Sequence, residues 1–248
     1  MAYAPLSNEQ LLRYSRHLLM DGVGLDGQSQ LMNSHVLIAG LGGLGSPVSS
    51  YLAAAGVGRL SLCDHDTVEL SNLQRQVIYT TANIGQLKVD SAKETLMPLN
   101  PNIIIDCYPQ SVTKGILNQG ADVVVDCTDN LDSKLLMNKF CYQNGIDYIS
   151  ASAMGWEGQV IGFDFKKNRT ICYGCISNFD SKDQVLTCTN FGVLGPILGV
   201  IGSLQALTAI KMLLGKFNSH GEMQCYDGLN NRWLNLTLER RKKCDQCG

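Results

Sequence analysis

A glycine-rich turn between a predicted strand and a predicted helix constrains the fold of this chain more than any other feature. Residues 40–45 read Gly-Leu-Gly-Gly-Leu-Gly and match the pattern G-x-G-x-x-G. An apolar run at 35–39 precedes the turn, residues 46–55 suit a helix, and Asp64 follows the next apolar run. Backbone amides of such a turn can face phosphates, and an acid at the position of Asp64 can bind a ribose hydroxyl. The arrangement predicts a nucleotide-binding unit without specifying the nucleotide; the alternative is a tight turn with no ligand.

Apolar segments of strand length alternate with helical segments over the first 150 residues. This alternation predicts a parallel sheet that helices cover on both faces. The predicted strands are 35–39, 59–63, 103–105, 121–126 and 147–150. The predicted helices are one that starts at a capping box at 7–10, then 25–33, 46–55, 85–97 (stopped by Pro98) and 131–144.

After residue 150 the pattern changes. It predicts a strand at 158–165, a helix at 197–214 and a final hairpin from 223–226 and 232–238. We therefore predict a single α/β domain with a doubly wound, mostly parallel Rossmann-like sheet and a C-terminal antiparallel extension. Within this domain, N-terminal helices occupy 1–34, a nucleotide-binding half 35–150, and a second half 151–248.

The composition argues against several classes of protein. The net charge of -2, with no basic patch, gives no reason to expect a nucleic-acid partner. The N-terminus lacks the pattern of a secretory signal. The most apolar stretch, 193–214, contains Pro196, Gln205 and Lys211, which favours a buried core helix over a membrane span. We therefore expect no membrane partner. Ten cysteines, several of them in apolar runs, suit a reducing compartment, so we expect a cytoplasmic protein.

A dense polar loop at 64–76 follows the second predicted strand. It suits a triphosphate better than a nicotinamide, because Asn72, Arg75 and the later Lys88 supply hydrogen-bond donors for phosphate oxygens. The alternative for any one of these side chains is an ordinary solvated surface position.

An acidic segment, 126–130, ends the fourth predicted strand at the sheet edge where ligands bind. Asp129 could hold Mg²⁺ together with phosphate oxygens. The alternative is that Asp129 caps the following helix, although Asn130 could serve as the cap instead.

Two Cys-x-x-Cys pairs lie far apart in the sequence: Cys172 with Cys175, and Cys244 with Cys247. Four thiolates at this spacing suit a structural, tetrahedral zinc site that would hold the C-terminal tail against the body. Redox chemistry at one pair is the alternative, although neither pair has the strand-to-helix context of a thioredoxin-like site.

Together these motifs resemble the ThiF/MoeB family, which is related to the ubiquitin-activating enzymes. The segments that carry the resemblance are 13–16 (Arg-Tyr-Ser-Arg), 40–45, 71–76, 126–130 and the two cysteine pairs. The resemblance implies a homodimeric adenylyltransferase that uses ATP. Its substrate would be a ubiquitin-like sulfur-carrier protein ending in Gly-Gly, with 151–248 as the carrier-binding and zinc half.

The resemblance also implies roles for individual residues. Catalysis would involve Arg16, as a finger reaching into the partner subunit's site, with Arg75, Lys88 and Asp129. Nucleotide contacts would come from Gly40, Gly42, Gly43, Gly45, Asp64, Asn72, Arg75 and Lys88. Mg²⁺ would bind Asp129, and Zn²⁺ would bind Cys172, Cys175, Cys244 and Cys247. Cys188 matches a cysteine implicated in an acyl-disulfide link in the thiamine branch; the alternative is an unreactive loop thiol.

Thiamine biosynthesis is slightly favoured over molybdopterin biosynthesis by 151–155 and by the turn at 226–228. Since the sequence ends at Gly248 with no sulfurtransferase domain, we expect a separate sulfur donor. The alternatives are an NAD-dependent oxidoreductase, a relative that activates a carboxylate on tRNA, and an inactive binding subunit.

Overall fold

The computed structural model of the protein describes residues 5–176 and 192–248. The helices are α1 (Asn8–Arg13), α2 (Ser15–Leu18), α3 (Gly24–Met32), α4 (Gly45–Ala55), α5 (Lys88–Leu99), α6 (Lys114–Leu117), α7 (Leu131–Asn144), α8 (Tyr173–Ile176) and α9 (Gly195–Leu213). The strands are β1 (His35–Ala39), β2 (Arg59–Cys63), β3 (Ile104–Tyr108), β4 (Val123–Asp126), β5 (Asp147–Met154), β6 (Glu157–Phe163), β7 (Glu222–Asp227) and β8 (Arg232–Thr237).

All the described strands join one sheet in the order β3-β2-β1-β4-β5-β6-β7-β8. The first five strands pair in parallel, with Leu37 of β1 opposite Ser61 on one side and Val124 on the other. From β5 to β8 each neighbouring pair is antiparallel. Strands β2 and β3 lie on one side of β1, and the next strand in the chain, β4, lies on the other side of β1. This reversal is a topological switch point, where open α/β sheets form their ligand crevice.

Alternate residues of the central strands enter two different cores. In β1, Val36 and Ile38 belong to the core under α4, α5 and α9, whereas Leu37 and Ala39 belong to the core under α7. Because both faces of the strand are buried, β1 is apolar throughout, as expected for a parallel sheet covered on both sides.

Helix α9 is long and apolar enough to cross a membrane by length and composition alone. In the fold it packs against α4, β5 and β6, and Ile201, Ala206 and Ala209 are buried. The interpretation of this stretch as a core helix is therefore confirmed.

Several element boundaries differ from the sequence prediction. Helix α5 begins at Lys88 rather than near Gly85, because Gly85 has a φ of +86° and Leu87 pairs with Thr67. The same helix runs to Leu99 and so includes Pro98, which sits in its last turn. The N-terminal helix divides at Tyr14, whose buried hydroxyl accepts a hydrogen bond from Asn100. The capping box at Ser7 is confirmed.

Candidate nucleotide-binding site

A cavity of about 900 Å³ opens at the carboxyl ends of β1, β2 and β4, next to the switch point. The predicted site residues that line it are Gly40, Gly42, Gly43, Asp64, Asn72, Arg75, Lys88 and Asp129. Segments far apart in the sequence therefore meet around one space. Residues of the C-terminal hairpin, including Tyr226 and Trp233, complete the wall.

The glycine turn fits tightly against the neighbouring strand. Gly40 has a φ of +88°, and a Cβ atom there would lie 2.8 Å from the carbonyl oxygen of Cys127. Gly45 is not among the cavity-lining residues; a Cβ atom there would strike the carbonyl of Gly40. Gly45 thus allows α4 to start directly against the turn, while the three earlier glycines border the cavity.

Asp64 connects the glycine turn to the following loop. Its Oδ2 accepts a hydrogen bond from the Leu41 amide at 2.7 Å, and its Oδ1 accepts one from the Asp66 amide at 2.9 Å. The side chain is buried at the end of β2 and lines the cavity. These two hydrogen bonds fix the carboxylate and leave each oxygen with a further lone pair for a ligand hydroxyl.

Lys88 reaches the same wall of the cavity and is paired with Asp66. Its Nζ lies 2.7 Å from Asp66 Oδ2, and the Lys88 side chain is only 6% exposed. Partial burial would raise the pKa of Asp66, but the hydrogen bond and charge of Lys88 outweigh it and lower this pKa. The ammonium is therefore held in place by a carboxylate that the sequence analysis did not identify as a site residue.

The polar loop after β2 places Asn72, Arg75 and Gln76 at the cavity. Asn72 is buried, and its Oδ1 accepts a hydrogen bond from the Glu69 amide. The Arg75 guanidinium donates a hydrogen bond to the Ser71 carbonyl and makes no ion pair within the described residues. The buried Oε1 of Gln76 has no hydrogen-bond partner in the part of the chain that is described. The loop thus offers the Arg75 guanidinium to a ligand.

Asn130, and not Asp129, caps the helix that follows the acidic segment. Asn130 Oδ1 accepts the Ser133 amide at 2.9 Å and caps α7. Asp129 is exposed and lines the cavity, so its carboxylate can contact a cation there.

Behind this wall lies a buried ion pair that sequence reasoning missed. Lys134 Nζ is 2.9 Å from Asp126 Oδ2, and their side chains are 7% and 0% exposed. Tyr148 and Ser150 also donate hydrogen bonds to that oxygen. Burial would lower the pKa of Lys134, but Asp126 raises it overall, so the ammonium stays charged. Lys134 also lines the cavity, which adds a cation to its wall.

The four cysteines predicted to bind zinc come together on the side of the fold covered by α7. The Sγ atoms lie 4.0 Å apart for Cys172 and Cys175, 3.8 Å for Cys172 and Cys244, and 3.6 Å for Cys175 and Cys247. A zinc ion about 2.3 Å from four sulfurs holds them roughly 3.8 Å apart in a tetrahedron. The cluster therefore fits this metal.

Like Gly45, Arg16 does not line the cavity. Arg16 lies exposed on α2 and is absent from the lining residues, which is compatible with a role at another subunit's site. Cys188 lies outside the described residues.

A glycine turn at the switch point of a doubly wound sheet, with a fixed carboxylate and several cations beside it, defines a nucleotide-binding α/β protein. The model of the ThiF family matches residues 14–247, and the chain belongs to this family. The resemblance stated from the motifs is thereby confirmed.

Two curated relatives from Escherichia coli match over nearly their whole length. The chain is 42% identical over 246 residues to the sulfur carrier protein ThiS adenylyltransferase of Escherichia coli K12, which covers 98% of this chain and 97% of that protein. It is 41% identical over 249 residues to the molybdopterin-synthase adenylyltransferase of the same organism, with 99% of each covered. Among solved structures, E. coli MccB with AMPCPP and MccA superposes with a TM-score of 0.82 at 26% identity, covering 95% of this chain and 74% of that one.

Proposed function

We propose that this protein is an ATP-dependent adenylyltransferase that activates the C-terminal carboxylate of a ubiquitin-like sulfur-carrier protein. The observation that carries the proposal is the single cavity lined by the glycine turn, Asp64, Arg75, Lys88 and Asp129. Of the two E. coli relatives, one is named as the adenylyltransferase of the sulfur carrier protein ThiS and the other as the adenylyltransferase of molybdopterin synthase, at full-length identities of 42% and 41%.

The nucleotide would lie along the glycine turn. Backbone amides at the N-terminus of α4 would face the phosphates, and Asp64 would accept a ribose hydroxyl.

The reaction brings two anions together, and the cations of the cavity would reduce their repulsion. The carrier's terminal carboxylate is already ionised at neutral pH, since its ordinary pKa is about 3.3–3.7, so no general base is required. A carboxylate oxygen forms a bond to the α-phosphorus as the bond to pyrophosphate breaks, which gives an acyl-adenylate. Lys88 and Arg75 would stabilise the charge on the α-phosphate and on departing pyrophosphate.

Two metal ions belong to the proposal. Asp129 would hold Mg²⁺, which neutralises phosphate charge when bound. The cysteine cluster would hold structural Zn²⁺, for which the sulfur separations are suitable.

The proposed assembly is a homodimer in which Arg16 reaches the partner's site, and sulfur comes from a separate donor protein. Thiamine biosynthesis is favoured over molybdopterin biosynthesis only slightly, since the relatives from the two pathways are almost equally similar.

The test is carrier-dependent exchange of pyrophosphate into ATP, measured with each Gly-Gly carrier of the source organism. Asp129→Ala should abolish exchange and keep the metal content of the cysteine cluster. Asp132→Ala is the matched control, because Asp132 is exposed three residues away and does not line the cavity. Full exchange in Asp129→Ala would remove Asp129 from catalysis, and a protein that binds NAD but not ATP would favour the oxidoreductase alternative.

A further inference from the structure

Asn138 is a buried side chain of α7 that hydrogen-bonds one residue inside each cysteine pair. It is 0% exposed. Its Oδ1 accepts a hydrogen bond from the Tyr173 amide at 2.8 Å, and its Nδ2 donates to Gln246 Oε1 at 3.5 Å. Tyr173 lies within the first cysteine pair and Gln246 within the second. One asparagine therefore fixes both halves of the cluster to the same helix.

The same helix faces the nucleotide cavity one turn earlier. Lys134 precedes Asn138 by four residues, so both point to one side of α7. The Lys134 ammonium lies 6.0 Å from the centroid of the Tyr173 ring. Lys134 and Tyr173 both line the cavity. The ring next to the first cysteine pair is therefore also part of the nucleotide site.

We propose that Asn138 is a positioning residue that couples the cysteine cluster to the nucleotide cavity. A metal ion in the cluster would fix helix α8, which begins at Tyr173, and Asn138 sets the position of that helix relative to Lys134. Loss of the metal or of the Asn138 amide shifts Tyr173 in the cavity wall and weakens nucleotide binding. The inference rests on the proposed function in that a nucleotide occupies the cavity.

A substitution of Asn100 is the control that separates the proposed coupling from a purely stabilising role of Asn138. Asn100 is also 0% exposed, and its amide donates to the Tyr14 hydroxyl and the Ala53 carbonyl, away from the cysteines. Asn100→Ala should therefore lower stability as Asn138→Ala does and leave the cluster unchanged. Gln246→Ala, on a partly exposed side chain, removes one of the Asn138 contacts at low risk to folding.

The first measurement is the rate of zinc release to a chromogenic chelator from the metal-loaded, full-length protein. Groups that orient metal ligands typically contribute 10–100-fold in metal affinity. We expect Asn138→Ala to release zinc about tenfold faster than the wild type, and Gln246→Ala to show a smaller increase. Asn100→Ala should release zinc at the wild-type rate.

The second measurement is the dissociation constant for ATP, by calorimetry, before and after removal of the metal. In the wild type, removal should weaken ATP binding by about fivefold or more, the lower range of coupling between distinct sites. In Asn138→Ala, ATP binding should already be weak, and metal removal should change it little.

Two results would overturn the coupling. One is equal zinc release by Asn138→Ala and Asn100→Ala; the other is an equal effect of metal removal on ATP binding in the wild type and in Asn138→Ala. A wild-type protein that binds no ATP would refute the proposed function, and the coupling with it. Normal ATP binding together with either of the first two results would refute this inference alone.

Discussion

Substitution of Gly40 by alanine should damage both stability and nucleotide binding, and Gly85 supplies the control. The two glycines have nearly the same backbone conformation, with φ of +88° and +86°. A Cβ atom at Gly40 would lie 2.8 Å from the Cys127 carbonyl oxygen, whereas nothing lies within 4 Å of one at Gly85. The pair therefore separates backbone strain from steric overlap.

The magnitudes follow from that difference. A non-glycine residue in the left-handed region costs about 1–2 kcal/mol, which is the loss expected for Gly85→Ala. Gly40→Ala carries the same cost plus about 1–3 kcal/mol of overpacking. The second term applies because the Cys127 backbone is held by its own hydrogen bond to Ala39 and cannot easily move away. We expect the turn to shift instead, which weakens ATP binding by about tenfold, or roughly 1.4 kcal/mol.

The assays are urea unfolding and calorimetric titration with ATP. Comparable m-values would show that the two variants unfold from similar native states, so that the difference in midpoint reports stability. Gly85→Ala should bind ATP as the wild type does, since Gly85 does not line the cavity. Equal losses of stability in the two variants, or wild-type ATP affinity in Gly40→Ala, would refute the reasoning.

Three further predictions concern other groups. Arg16→Ala should lose exchange activity and regain part of it in mixed dimers with an Asp129→Ala subunit, because one site then has both groups; activity no higher in the mixture than in the separate variants would exclude a finger supplied by the partner. Asp126→Asn should lower the free energy of unfolding by about 3–5 kcal/mol because it leaves the Lys134 ammonium buried and unpaired. In urea unfolding, the double variant Asp126→Asn/Lys134→Met should lose less stability than the sum of the losses in the two single variants. Additive losses would contradict a direct pair. Burial raises the pKa of Asp147 to about 6, so the folded protein retains a proton that the unfolded chain loses near pH 4, and stability falls as pH rises from 4 to 6. The melting temperature of Asp147→Asn minus that of the wild type should therefore increase from pH 4.5 to 7. A difference that does not change with pH would contradict the raised pKa of Asp147.

The local features of this protein were determined by its sequence. Gly40 to Gly45, the apolar strands and the capping box at Ser7 depend on residues a few positions apart, and the structure places them as expected. The cysteine pairs were also recognisable, since metal-ligand spacing is a local property. Asp64 and Lys88 were predicted as site residues from the sequence and the family resemblance, and both line the cavity.

The tertiary structure alone decided how these segments pair across the sheet. Lys88 meets Asp66 because the start of α5 and the loop after β2 lie at the same edge of the sheet. Asp126 meets Lys134 because α7 packs against β4. Nothing in the sequence indicates that Asn138 hydrogen-bonds Tyr173 and Gln246, which lie within the two cysteine pairs. Such contacts depend on strand order and helix orientation, which arise from burial over the whole chain rather than from the residues beside each group.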